Sequence, residues 1–154
     1  MAYLARRTFL ITAAMGAGTF LAGCMGDAPP AVVTVSAQGA AGMNPGPGGG
    51  DRPVTLTILQ LAGAGAFDAA DYYALQDPAT ALGGDLIRAD QLVLAPGESP
   101  SKQITIQPGT SMIGVVGGFR DPANRTVRAK TMAPGADSGL IIKVGPGGIA
   151  LTRT

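Results

Sequence analysis

No histidine occurs in this sequence, tryptophan is missing as well, and cysteine appears once. Histidine is the usual general base near neutral pH and the commonest metal ligand, so its absence removes the ordinary routes to hydrolysis and to metal chemistry. A single cysteine permits neither an intrachain disulfide nor a cysteine metal cluster. Charge is also scarce. Only 14% of residues are charged, with 11 basic against 10 acidic side chains and no basic run. A nucleic-acid role therefore lacks the positive stripe that would track phosphates.

Carboxylates remain as the only other metal ligands. Asp68, Asp71, Asp77, Asp85 and Asp90 are spread out, whereas a calcium loop needs oxygen ligands at tight alternating positions around a sharp glycine turn. They read as caps and turns. The glycines from Gly46 to Gly50 precede Asp51-Arg52-Pro53, not the Lys-Ser/Thr pair of a phosphate-binding loop. Gly114, Gly117 and Gly118 lie in an apolar strand pattern, where glycine marks a bulge or close packing. The expectation is a protein without cofactor, metal or catalytic residue.

The amino terminus has the grammar of a bacterial export signal. Arg6 and Arg7 begin it, an uncharged stretch runs from Phe9 to Ala22, and Leu21-Ala22-Gly23-Cys24 follows. That tetrapeptide is similar to a lipobox, in which small residues fit the peptidase cleft and the cysteine thiol takes a diacylglyceryl group. An uncleaved transmembrane helix needs about 20 predominantly apolar residues, and three threonines with three glycines dilute the run here. Arg6-Arg7-Thr8-Phe9-Leu10 fits both a Sec and a twin-arginine route. Residues 1–23 are thus expected to be removed and Cys24 to carry membrane lipid. Met25, in place of the aspartate that retains lipoproteins at the inner membrane, points to the periplasmic face of the outer membrane. Losing Arg6 and Arg7 leaves nine basic against ten acidic side chains, with Phe67, Tyr72, Tyr73 and Phe119 as the remaining aromatics.

Residues 24–31 read as a tether stiffened by Pro29 and Pro30, and residues 32–154 as one β domain. Short β-branched runs between Gly/Pro turns are the pattern of an all-β sandwich or barrel. Candidate strands cover residues 32–37, 54–61, 91–94, 102–107, 112–119, 126–131, 140–144 and 149–152. Val54, Leu56 and Ile58 alternate with Thr55 and Thr57, as a half-buried strand should. Two stretches break the pattern. Residues 40–53 hold five glycines and three prolines, too long for a tight hairpin and of the length that is usually functional or disordered. Residues 67–75 have helical spacing, with Phe67, Ala70 and Ala74 on one face, followed by Asp77-Pro78, which stops a helix or starts a turn.

On these residues the chain resembles the TssJ (VasD) family of type VI secretion outer-membrane lipoproteins. The likeness rests on the lipobox, on Arg52-Pro53-Val54 to Gln60-Leu61, on Phe67-Asp68 to Leu75 ending at Asp77, on Leu94-Ala95-Pro96-Gly97-Glu98, and on Ile113-Gly114-Val115-Val116 to Phe119-Arg120-Asp121. Where that family has a Trp-Arg pair, this chain has Val127-Arg128. The resemblance implies a transthyretin-like antiparallel β-sandwich of about eight strands with a short helical insert. It implies an anchor that binds the periplasmic domain of TssM and, through it, TssL. The family's partner-binding loop corresponds to residues 40–52, so Met43, Asn44, Pro45, Gly46, Pro47, Asp51 and Arg52 become the candidate contacts.

Two other classes compete. Transthyretin-like hydrolases depend on histidines that are absent here. A carbohydrate or small-molecule binding module would want exposed aromatic platforms, and two tyrosines in an apparent helix supply little of that. Read this way, the 40–52 loop has no structural need for its length. Met43 is then its one apolar anchor, and shortening residues 43–50 should leave the sandwich folded.

Overall fold

The computed structural model describes residues 26–154, so the export segment 1–23, the lipobox residues Leu21, Ala22 and Gly23, and Cys24 lie outside the described residues. Eight strands follow in order: β1 (Val32–Gly39), β2 (Val54–Leu61), β3 (Leu86–Leu94), β4 (Ser101–Thr105), β5 (Met112–Gly117), β6 (Arg128–Met132), β7 (Gly139–Gly145) and β8 (Gly148–Arg153). They form two four-stranded sheets, ordered β4-β1-β7-β8 and β3-β2-β5-β6. Val33, Val35 and Ala37 of β1 meet Val54, Leu56 and Ile58 of β2, with Ile113, Val115, Leu140, Ile142 and Val144, in one buried core. Fully burying each such aliphatic side chain contributes roughly 1.5–3 kcal/mol.

The alternation in β2 therefore forms the expected sandwich, and the observed strand begins and ends where the pattern does. Five pairings are antiparallel, but β1 and β7 run parallel, with Thr34 opposite Gly139 and Gly39 opposite Val144. Alternation has the same period in both arrangements, so the pattern carries no sign of this. β3 starts five residues earlier than residue 91. It is an edge strand in which Arg88 and Asp90 interrupt the apolar pattern.

The helix expected over residues 67–75 is replaced by a broken insert. A short helix α1 (Gly65–Ala69) ends because Ala70 is extended, with ψ 143°. Asp71 then turns its carboxylate onto the backbone N–H of Ala74 at 2.8 Å, giving the chain a turn in place of a helix. A 3-10 turn (Ala74–Gln76) follows, and then α2 (Pro78–Leu82). Asp77-Pro78 starts this second helix and does not stop the first, because proline suits the first helical turn, where no N–H partner is needed. Phe67, Leu75 and Leu82 pack on Leu59, Leu61 and Val116, covering the outer face of the second sheet. Gly114 makes this possible: a Cβ there would lie 2.8 Å from Cε2 of Phe67.

Arg128 fastens the insert to β6. Its guanidinium donates to the carbonyls of Phe67, Asp68 and Ala70 and lies 5.6 Å from the centre of the Phe67 ring. The preceding Val127 packs against the main core. Gln60 joins the sheets near the tether. Its Nε2 donates to the carbonyl of Thr105 at 2.9 Å, and its Oε1 accepts from the backbone N–H of Gln107 at 2.7 Å and from Thr110 Oγ1 at 3.1 Å. Among the described residues, no helix is long and apolar enough to cross a membrane.

Candidate functional site

β1 runs away from the tether, so the two ends of the sandwich differ. The amino-terminal end holds residues 26–31, which rest near Ile106 and Pro108. The other end gathers four connections: residues 40–53, 95–100, 118–127 and 146–147.

Residues 40–53 are a built loop. Asp51 holds its base by accepting the N–H of Gly42 at 2.6 Å and of Asn44 at 3.3 Å. Pro45 and Asp51 form an antiparallel bridge. Beyond it the chain reverses through Gly46 N–H to Gly50 carbonyl at 2.7 Å and Gly49 N–H to Gly46 carbonyl at 3.0 Å. Gly49 has φ 83°, a left-handed conformation that glycine adopts without strain. The Arg52 side chain crosses Gly46, where a Cβ would stand 2.6 Å from Nε. Arg125 reaches in from residues 118–127 and donates to the carbonyls of Gly42 at 3.4 Å and Met43 at 2.8 Å.

Two expectations about this loop are corrected. Met43 is fully buried in the main core and is no exposed anchor. Asn44 is buried as well, and all its polar atoms are used. Its side-chain nitrogen donates to the carbonyl of Pro53 at 3.2 Å, and its Oδ1 accepts the N–H of Arg120 at 2.9 Å. Its backbone carbonyl accepts the N–H of Arg52 at 2.9 Å. The loop's length thus has a structural purpose, and excising residues 43–50 would remove part of the core. The loop's tip exposes Pro47, Gly48, Gly49, Gly50 and Arg52, its ends expose Ala40, Ala41 and Pro53, and Pro45, Gly46 and Asp51 are half-buried.

The insert also reaches this end. Tyr72 donates its hydroxyl to the carbonyl of Phe119 at 3.1 Å, and burial pushes its pKa above the ordinary tyrosine value. Tyr73 packs edge-on against Tyr72, with ring centroids 5.3 Å apart, and is 74% exposed. The pair is angled and offers no flat sugar platform. A shallow groove of about 380 Å³ over β1, β7 and β8 is lined mostly by backbone and small side chains, with Gln38 as its one polar uncharged and Lys143 as its one charged side chain. It lacks the converging polar groups that orient a small ligand.

Sequence reasoning found the loop but missed Asn44 as its centre, Arg125 as its brace, and the tyrosines as its neighbours. The Asn44 and Asp51 pair flanking a glycine-rich tip was a usable signal, since Asx side chains favour bonds to nearby backbone.

A family model described as "Type VI secretion lipoprotein, VasD, EvfM, TssJ" matches residues 31–146. Among solved structures, the T6SS lipoprotein TssJ1 from Pseudomonas aeruginosa is 34% identical, with TM-score 0.74, covering 82% of this chain and 98% of that one. Serratia marcescens Lip, a membrane-bound component of the type VI secretion system, is 21% identical, with TM-score 0.73 and coverage of 81% and 98%. A chain in a structure of the TssM C-terminal domain from EAEC is 24% identical, with TM-score 0.67 and coverage of 79% and 97%. At these lower identities the likeness is one of fold. No curated protein matches.

Proposed function

This chain belongs to the type VI secretion lipoprotein family, and from that premise we propose that it is an outer-membrane anchor whose loop end binds the periplasmic domain of TssM. Lipid on Cys24 holds the protein at the periplasmic face, and the sandwich carries the 40–53 loop away from the membrane. TssL joins through TssM. The role is structural and involves no chemistry at the protein.

One observation carries this reading. The 40–53 loop is fixed at its base by Asn44, Asp51 and Arg125, yet it presents Pro47–Gly50 and Arg52 to solvent. A tip held in place before binding loses less conformational entropy on docking than a free glycine loop would.

Gly48 gives the clean test, because no atom lies within 4 Å of a Cβ built there. Gly48→Trp should leave the fold intact and obstruct docking. Calorimetry with a TssM periplasmic domain should then show binding weakened at least tenfold, about 1.4 kcal/mol. Unchanged affinity in this folded variant would remove the loop from the interface.

A further inference from the structure

Three exposed side chains at the loop end make no ion pair and no side-chain hydrogen bond among the described residues. We propose that Arg52, Arg120 and Tyr73 form one recognition surface for an acidic peptide segment of the partner protein; this deepens the TssM reading and rests on it.

The two arginines are set by a single buried residue. Asn44 accepts the Arg52 N–H on its backbone carbonyl and the Arg120 N–H on its side-chain oxygen, each at 2.9 Å. Their backbones are therefore fixed side by side while both side chains remain exposed. Among the described residues, the ion pairs involve Arg88, Lys102 and Lys130, and neither Arg52 nor Arg120 contacts a carboxylate. The acids nearby are turned to their own backbone. Asp51 takes the amides of Gly42 and Asn44, and Asp121 takes the amide of Ala123 at 3.0 Å. Glu98 stands across the end, where its carbonyl meets the N–H of Gly39. A guanidinium presents a planar fork that matches a carboxylate in two parallel hydrogen bonds, which is why the partner chemistry is acidic.

Tyr73 supplies the apolar anchor that the loop lacks. It leans on Tyr72, whose hydroxyl is bonded to Phe119, the residue before Arg120. The sequence of contacts from Tyr73 through Tyr72, Phe119, Arg120 and Asn44 to Arg52 is unbroken. Tyrosine and arginine are also the residue types in which interface energy concentrates. Of the other large exposed apolar residues, Val32 and Met132 stand at the opposite end, while Val93 lies on the edge strand β3 opposite Thr55.

The test uses Arg52→Glu, Arg120→Glu and Tyr73→Ser in the soluble chain from residue 26, with Arg153→Glu as the control. Arg153 is exposed at the far end and changes net charge equally. Melting curves confirm that each variant is folded, and Arg52→Lys with Arg120→Lys separates charge from fork geometry. With the TssM periplasmic domain as probe, each site variant should weaken binding at least tenfold. The lysine pair should recover part of the loss, and Arg153→Glu should bind as wild type. Full binding by both charge reversals would overturn the surface while leaving the TssM reading intact. If the wild-type chain ignores the TssM domain, the TssM reading fails, and a hexaglutamate peptide titrated at low salt decides the surface. Amide shifts confined to the Arg52, Arg120 and Tyr73 region would support it. No shifts, or shifts elsewhere, would overturn it.

Discussion

The sulfur of Met43 occupies the space that a side chain on Gly39 would need, 2.8 Å from the Cβ position. The last residue of β1 is bare so that the loop following it can fold back into the core. Met43→Ala should therefore cost about 2–5 kcal/mol, as other buried large-to-small changes do. Gly39→Ala should cost about 1–3 kcal/mol by overpacking. The double variant should be less unstable than the sum of the two, because the residues share one space. Strict additivity in urea unfolding would separate them.

Asn44→Ala leaves the Arg120 N–H without its acceptor and the Pro53 carbonyl without its donor. A buried group stripped of its partner costs about 1–3 kcal/mol. The expected readout is a lower melting temperature together with faster amide exchange at Arg120. Exchange unchanged at Arg120 would contradict the hub role.

Gln60→Leu keeps the volume and removes three hydrogen bonds between β2 and residues 105–110. A loss of about 1–3 kcal/mol is expected. The urea midpoint should fall with an unchanged slope, and a wild-type midpoint would show that water replaces these bonds at no cost.

Gly114→Val drives a side chain into the Phe67 ring. The insert should loosen while the main core holds. Hydrogen exchange should rise at Asp68 and Ala70 and stay slow at Val35 and Ile142. Uniform acceleration across both sites would mean that the insert is not a separable layer.

Asp90 gives the acid limb. Partial burial raises its pKa, but hydrogen bonds and charge from Arg88 and Lys102 outweigh this and hold the carboxyl below its ordinary value. The folded state therefore favours the ionised form. That contribution is complete above the unfolded pKa of about 3.9 and is lost as pH falls through the lower folded value. Arg88 and Lys102 are substantially exposed, so the effect is small. Asp90→Asn should melt slightly below wild type at pH 7, and the gap should close as pH falls through the lowered folded-state value. A gap that widened on acidification would reverse the sign.

What the sequence revealed depended on how local the cause was. β2 was legible to the residue because Val54, Leu56 and Ile58 alternate with threonines and point at one core. The insert was legible as helical but not as broken, since spacing cannot see Asp71 competing for the Ala74 amide. Met43 was read as a partner-binding anchor because its burial depends on a vacancy at Gly39, and the brace on its backbone carbonyl comes from Arg125, 82 residues away. A similar separation hid the pairing of Arg52 with Arg120 through Asn44, which is visible only once residues 76 apart are brought together.

The position of β1 has a mechanical consequence. In the proposed anchor, lipid precedes β1 and the partner holds the loop that follows it, so a pull between the two would travel along this one strand. β1 is interior to its sheet, flanked by antiparallel β4 and parallel β7. Its ladder bonds lie across the direction of load. They must yield together in shear and cannot open one at a time like a zipper.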